Sequence, residues 1–134
     1  MAKVSGITTA VTIDDAGGTG RVISNDVTSI TTNTSRGVQD VTGLDKSAME
    51  RLLLLSDGTL SITGVFNTTA LTGIHTVLSS ITDNDTRTVV IGYPGATLTM
   101  EMILTSYNVN RAQDGSLTVT ADLSLADGTA PAWS

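Results

Sequence analysis

Two adjacent carboxylates and a short glycine-rich run make the first candidate for chemistry in this sequence. Asp14 and Asp15 are followed by Ala, Gly, Gly, Thr and Gly20, a composition found in calcium loops and phosphate loops. The ligand spacing of an EF-hand is missing, however, and no Gly-Lys-Ser or Gly-Lys-Thr motif follows. We therefore interpret residues 14–20 as the loop of a plain β-hairpin, because glycine supplies the backbone angles that such loops need.

The other candidates for catalysis have no partners in the sequence. His75 is the only histidine, and its position beside an apolar helical face favours a packed side chain over a ligand or a base. The chain has no cysteine, which excludes disulfides, a thiolate zinc site and a cysteine nucleophile. Serine and threonine are abundant, but no nucleophile-elbow pattern accompanies them. We expect no enzymatic activity and no cofactor, so the function should reside in surfaces and assembly.

Length and charge narrow the class of protein further. The 134 residues predict one domain, residues 1–134, with a single modest core. Seven basic residues are scattered among 13 acidic ones, and the net charge of −6 disfavours binding to nucleic acid. An acidic wall could still serve a DNA conduit, because it does not retain a passing strand. No secretory signal and no membrane span is readable, so we expect a soluble protein made in the cytoplasm.

The composition predicts a mainly β fold, because β-branched residues dominate and threonine alone supplies 24 positions. From the residues we expect one mainly antiparallel β domain with one or two short helices and a long inter-strand loop. Predicted strands cover residues 5–13, 21–34 with a bulge near Asn25, 59–66, 87–93, 97–107 and 116–125. The last three are joined by Pro-Gly and Asp-Gly turn signals and should form a meander.

Three segments between these strands have other patterns. Residues 35–46 have no sustained period, which predicts a long loop and an arm that contacts another subunit; the candidate contact residues are Arg36, Val38, Asp40, Val41, Leu44 and Lys46. A capping box at 47–50 predicts a short helix or turn before Asp57. Residues 67–81 show helical spacing behind an N-cap at Asn67 or Thr68. The apolar residues 52–55 and Trp133 either pack within the chain or are covered by neighbouring subunits.

A family likeness extends over residues 22–133 and is carried by the order of six segments. These are the segment 40–55, the strand region 56–67, the helical Gly-Ile-His-Thr-Val-Leu of 73–78, a strand ending near Ile91, the turn approach 107–111 and the Leu-Ala-Asp-Gly-Thr-Ala-Pro-Ala-Trp ending of 125–133. In this order the chain resembles the major tail tube proteins of long-tailed phages. The resemblance implies a β-sandwich with a flanking helix, assembled as hexameric rings that stack into a tube. Inner sheet edges would then surround a DNA channel, and the long loop would reach a neighbouring ring.

The resemblance also suggests partners and a channel-lining face. Glu101 lies between two methionines on a predicted strand and points away from them, which places it on a polar face with Thr97, Thr99 and Asp122. Either this face is simply solvated, or, in a tube, it lines the lumen. The partners implied are copies of the same chain, a tape-measure protein and a tail terminator, with DNA passing through without specific binding and no membrane insertion. The implied location is the virion tail, assembled in the host cytoplasm.

A different class of function stays open at this point. A monomeric Ig-like binding or adhesin module would have a similar strand composition. Aromatic residues make up only 3% of the chain, which counts against a sugar-binding platform. The resemblance does not choose between contractile and non-contractile tails.

Overall fold

The structure, a computed structural model that describes residues 3–80 and 86–134, is built almost entirely from β-strands. Its elements in chain order are β1 (Ala10–Asp14), β2 (Gly20–Val22), β3 (Val27–Asp40), β4 (Arg51–Val65), α1 (Ile74–Leu78), β5 (Arg87–Tyr93), β6 (Ala96–Arg111), β7 (Leu117–Leu125) and β8 (Ala132–Trp133). The prediction of a mainly antiparallel β fold with one short helix is confirmed. No helix within the described residues is long and apolar enough to cross a membrane.

The strands form one continuous antiparallel sheet in the order β2-β1-β5-β6-β7-β4-β3. Strand β7 pairs with residues 102–111 of β6, and β8 pairs with Leu98 and Thr99 earlier in the same strand. The predicted meander of β5, β6 and β7 is confirmed. Its two turns contain Gly95 and Gly115 at φ of 86° and 95°, the left-handed region that glycine enters without strain. The glycines of these two turns therefore determine how β5, β6 and β7 are connected.

The sheet is strongly curled, so that its two halves face each other across one core. Thr32 of β3 and Tyr93 of β5 are four strands apart in the sheet order, yet their hydroxyl oxygens lie 3.2 Å apart. Buried apolar side chains come from both halves and from α1: Val11, Ile13, Ile23, Leu60, Ile62, Ile74, Val77, Leu78, Val89, Ile91, Leu98, Met100, Met102, Val119, Ala121 and Leu123. One sheet and α1 therefore enclose a single core.

The helix is much shorter than the predicted 67–81, and its start was wrongly placed. The Asn67 side chain accepts a hydrogen bond from the Thr69 backbone N–H at 2.9 Å, which forms a turn and not a helix cap. Leu71 then takes a left-handed φ of 72°, which interrupts any helix through it. Gly73 is the N-cap of α1, and a Cβ there would lie 2.6 Å from the Asn67 carbonyl oxygen. The predicted last residue, Ile81, lies outside the described residues.

A distant carboxylate supplies the helix cap that the local sequence lacks. Asp26 is buried, and its Oδ2 accepts a hydrogen bond from the Ile74 backbone N–H at 3.0 Å. Its Oδ1 accepts from the Asn67 side-chain amide at 2.8 Å. The first helical N–H groups have no partner within a helix, so this carboxylate satisfies one of them and ties α1 to the turn before β3.

Buried Arg87 fastens the other end of the helix to the sheet. Its guanidinium donates to the carbonyl oxygens of Asp14 at 3.1 Å, Val77 at 2.7 Å and Ser80 at 3.2 Å. These are among its partners, and they join β1, α1 and the segment after α1. A guanidinium can serve several acceptors at once because its five donors lie in a rigid plane.

Residues up to 57 differ from the predicted elements in three places. The first strand begins at Ala10 and not at Ser5, and Ile7, expected on its apolar face, is 90% exposed. The predicted strand 21–34 is divided by a turn at 24–26, close to the expected bulge. Residues 47–50 lie in a loop, and the chain from Arg51 onward, including Asp57, belongs to β4. The helix prediction for this segment is therefore wrong.

Candidate assembly surfaces

The side chains that could have supported chemistry, Asp15 and His75, make contacts within the fold. Asp15 Oδ1 accepts from the backbone N–H groups of Gly17 at 2.9 Å and Thr19 at 3.0 Å, within its own hairpin loop. The pKa of Asp15 lies below its usual 3.8. The hydrogen bond from Thr19 is the largest cause, followed by that from the Arg21 guanidinium, and the Gly17 bond acts in the same direction. His75 packs on the Phe66 ring, 4.7 Å between centroids, and bonds the Tyr107 hydroxyl at 2.9 Å. No metal-binding cluster of acidic or histidine side chains occurs in the described residues.

The segment predicted as a long loop is the tip of a long hairpin. Strand β3 continues to Asp40, so residues 35–40 are strand, and β4 begins at Arg51. The loop proper is 41–50, and it contains Val41, Leu44 and Lys46, whereas Arg36, Val38 and Asp40 lie on β3. We call residues 35–56 the arm. For residues 35–40 the expectation of a loop is wrong, because cross-strand pairing of 38–40 with 51–53 supplies backbone hydrogen bonds that the sequence pattern did not reveal, whereas residues 41–46 lie in a loop as predicted.

The tip of the arm is held by one threonine. Thr42 Oγ1 donates to Asp40 Oδ1 at 2.6 Å and accepts from the Glu50 backbone N–H at 2.8 Å. The Val41 N–H also bonds the Glu50 carbonyl oxygen at 2.9 Å. Hydrogen bonds from Thr42 lower the pKa of Asp40, its side-chain bond first. Because Glu50 is engaged with Thr42, the predicted capping box between residues 47 and 50 does not form.

The arm is apolar and exposed to an extent that its sequence only hinted at. Leu55 is 91% exposed and Leu44 at the tip is fully exposed. The other exposed apolar residues of the arm are Val38, Val41, Met49, Leu52, Leu53 and Leu54. Monomeric soluble proteins rarely expose contiguous apolar patches of more than a few hundred Å². Residues 52–55 were expected either to pack within the chain or to be covered by neighbouring subunits. In the described chain they do not pack internally.

The four candidate lumen residues share one face but do not form a cluster. Thr97, Thr99 and Glu101 alternate on β6 with buried residues, so they lie on the face of the sheet that points away from the core. Asp122 lies on the same outer face of β7, opposite Ser106, and accepts from its hydroxyl at 3.0 Å. Glu101 accepts from Thr88 of β5. A polar, partly exposed outer face is thus present across β5, β6 and β7.

Strands β3 and β2 lie at the two ends of the main strand order within the described residues. Strand β3 pairs only with β4, which leaves one side of a 14-residue strand open. At the other end β2 pairs only with β1 and is three residues long. An open edge of the length of β3 is a template for pairing with another chain, and proteins usually shorten or cover such edges.

Trp133 has both an intramolecular contact and an exposed part. Strand β8 pairs with β6 through Leu98, and the Trp133 ring stacks on Tyr93 with 5.9 Å between centroids. The residue nevertheless remains 53% exposed. The C-terminal tail thus packs on the sheet and still presents an apolar surface.

Comparison with known proteins finds solved structures with the same fold. Neither protein-family models nor curated protein sequences give a match. Among solved structures, a chain in the tail of an empty gene transfer agent (GTA) particle, computed with helical refinement and C6 symmetry, superposes with a TM-score of 0.79. A chain in the virion of a native GTA particle superposes with a TM-score of 0.77. Each is 16% identical, and each alignment covers 98% of this chain and 99% of the other. This chain has the fold of these particle components.

Proposed function

We propose that this chain is a structural subunit of a phage-like tail, in which six copies close into a ring and rings stack into a hollow tube. The observation that carries the proposal is the end-to-end similarity to a chain of a C6-symmetric GTA tail. The proposed location is the particle's tail, assembled in the host cytoplasm, with a tape-measure protein and a terminator as further partners.

The surfaces described above support assembly over a monomeric binding module. The open side of β3 can be satisfied when a neighbouring subunit pairs with it, and closure of a ring leaves no edge unpaired. A contact between two different surfaces of the same chain closes into a ring when its rotation permits. The exposed arm offers a second surface, which suits contacts between successive rings. A monomeric module would leave both surfaces in water.

For the lumen we propose the outer face that carries Thr97, Thr99, Glu101 and Asp122. Hydroxyl groups and carboxylates offer a phosphate backbone no cation to bind, and the net charge of the chain is −6. An acidic wall repels phosphates, so DNA can pass without being retained. This assignment predicts that positive charge on this face hinders passage more than it hinders assembly.

Electron microscopy of the purified protein tests the assembly proposal. Samples at rising concentration and at several salt strengths are imaged in negative stain, with light scattering for mass. We expect rings or hollow tubes with six-fold symmetry. Compact monomers at every concentration would refute the proposal and favour the binding module.

The lumen assignment needs a separate variant. Glu101→Lys combined with Asp122→Lys should leave tubes intact and slow the release of DNA from assembled particles. Asp114→Lys, in the exposed turn between β6 and β7, is the matched control for each single variant, Glu101→Lys or Asp122→Lys, because it makes the same charge change away from the proposed face. Unchanged DNA release in the double variant would remove these residues from the lumen.

A further inference from the structure

Both faces of the arm carry exposed apolar side chains. Val38 pairs directly with Leu53, and Gln39 pairs with Leu52. Residues that are directly opposite in an antiparallel pair lie on the same face, and successive residues alternate between faces. Leu53 and Val38 therefore occupy one face of the arm, and Leu52 occupies the other.

Leu54 lies on the same face as Leu52, because it is two residues away on the strand, and a β-bulge follows at this point. Between the pairs Arg36–Ser56 and Val38–Leu53, β3 advances by two residues while β4 advances by three. The extra residue places Leu54 and Leu55 opposite Gly37. A Cβ added at Gly37 would contact the Leu54 side chain at 3.4 Å, so Leu54 lies on the same face as Gly37. One face thus carries Val38 and Leu53, and the other carries Leu52 and Leu54.

Both faces are open to solvent in the isolated chain. Val38 and Leu53 are 53% and 63% exposed, and Leu52 and Leu54 are 54% and 46% exposed. A hairpin that lies on a single neighbour needs only one apolar face and keeps polar residues on the other. The pair Val38 and Leu53 and the pair Leu52 and Leu54 are similarly exposed, so neither face is covered by the body of the same molecule.

The arm is large enough and suitably charged to bind other copies of this chain. Its exposed apolar residues present on the order of 900 Å², close to the roughly 800 Å² that each partner contributes to a standard interface. Its three basic residues, Arg36, Lys46 and Arg51, balance its three acidic ones, Asp40, Asp45 and Glu50. The net charge of −6 therefore belongs entirely to the rest of the chain. A neutral arm can approach an acidic body without the repulsion that two bodies would experience.

We propose that the arm is inserted between two other copies of the chain, and that each copy covers one of its apolar faces. The proposal rests on the proposed tail function and specifies the partner of the arm. In such an arrangement every arm joins three subunits, so loss of either face should weaken assembly.

Two matched double variants test the insertion. Val38→Ser with Leu53→Ser removes one face, and Leu52→Ser with Leu54→Ser removes the other. Each should raise the concentration at which assemblies form by at least tenfold, measured by light scattering and sedimentation. Gln39→Ser is the control, since it changes a polar side chain on the same strand. Urea unfolding of each variant at a concentration without assembly checks that the exposed substitutions leave the fold intact.

Photo-crosslinking gives an independent measurement. A photoreactive side chain at position 52 and one at position 53 should crosslink to different peptides of neighbouring copies, identified by mass spectrometry. If only one double variant impairs assembly, or if both positions crosslink to the same peptide, the two-sided insertion is wrong while the tail function stands. A parent chain that stays monomeric at every concentration refutes the tail function and the insertion together.

Discussion

Replacement of Asp26 by alanine removes the carboxylate that caps α1 from 48 positions away in the sequence. The side chain is only 6% exposed, and its two oxygens accept from the Ile74 backbone and from the Asn67 amide. Alanine offers no acceptor, so the N–H of buried Ile74 loses its partner. An unsatisfied buried donor keeps its full desolvation cost, which makes this position more sensitive than an exposed cap.

The magnitude follows from the two hydrogen bonds. A hydrogen bond to a charged group contributes about 1.5–3 kcal/mol, and the Asn67 amide can regain water more readily than the Ile74 N–H. We expect Asp26→Ala to lower the free energy of unfolding by about 3 kcal/mol and Tm by roughly 10 °C for a chain of this length. Asp26→Asn keeps one acceptor but turns an amide donor toward the other N–H, so its loss should be about half as large.

Thermal and urea unfolding followed by circular dichroism measures both variants. The protein concentration must stay below that of assembly, because association stabilises the folded chain by mass action. Asp45→Ala, in the exposed tip of the arm, is the matched control and should change the free energy of unfolding by less than about 0.5 kcal/mol. If Asp26→Ala behaves like this control, the carboxylate does not hold α1 and the assignment of the cap is wrong.

Three further predictions concern packing, charge and pH. Gly64→Ala should destabilise the fold by about 2–3 kcal/mol, because its Cβ would lie 2.6 Å from the Asp26 carbonyl oxygen, whereas Gly92→Ala, with 3.9 Å to its nearest neighbour, should be tolerated in urea unfolding. Arg87→Lys should cost about 2 kcal/mol or more by the same assay, because one ammonium cannot reach the three carbonyl oxygens that the guanidinium serves; a Tm equal to that of the parent would contradict this. Because folding lowers the pKa of Asp15, the stability that its carboxylate contributes is present above pH 3.8 and is lost as the pH falls through its pKa in the folded protein. The Thr19 N–H donates to this carboxylate, so amide exchange at Thr19 should accelerate only below about pH 4.

The parts of the fold that were predicted correctly depend on local patterns. Residues 87–93 form a strand with the predicted bounds, and β7 begins one residue later than expected and ends as expected. Alternation of apolar and polar residues reveals a strand when one face is buried, and Pro-Gly or Asp-Gly marks the turn between two strands. The hairpin loop at Asp15 was also foreseen, since its glycines and its aspartate act within a few residues of one another.

The predictions that failed concern segments whose partners are far away or absent. Residues 67–73 have helical spacing, yet Asn67 makes its own turn and the helix begins only where Asp26 reaches Ile74. The run of four leucines at 52–55 has no strand period, because a strand that is apolar on both faces does not alternate. The arm residues were named from the missing period of 35–46, and the lumen residues from their shared polar face together with the resemblance. The structure gives their positions on β6, β7 and the hairpin, and their roles remain predictions.

By itself the sequence determined the β class, the absence of cysteine chemistry, the closing meander and the acidic charge. These properties follow from composition and from interactions between residues that are near in the chain. The tertiary structure decided where the helix starts, how one sheet curls over a single core, and that residues 35–56 form an arm with two apolar faces. Those outcomes depend on hydrogen bonds and cross-strand pairs between distant residues, whose geometry exists only once the chain has folded.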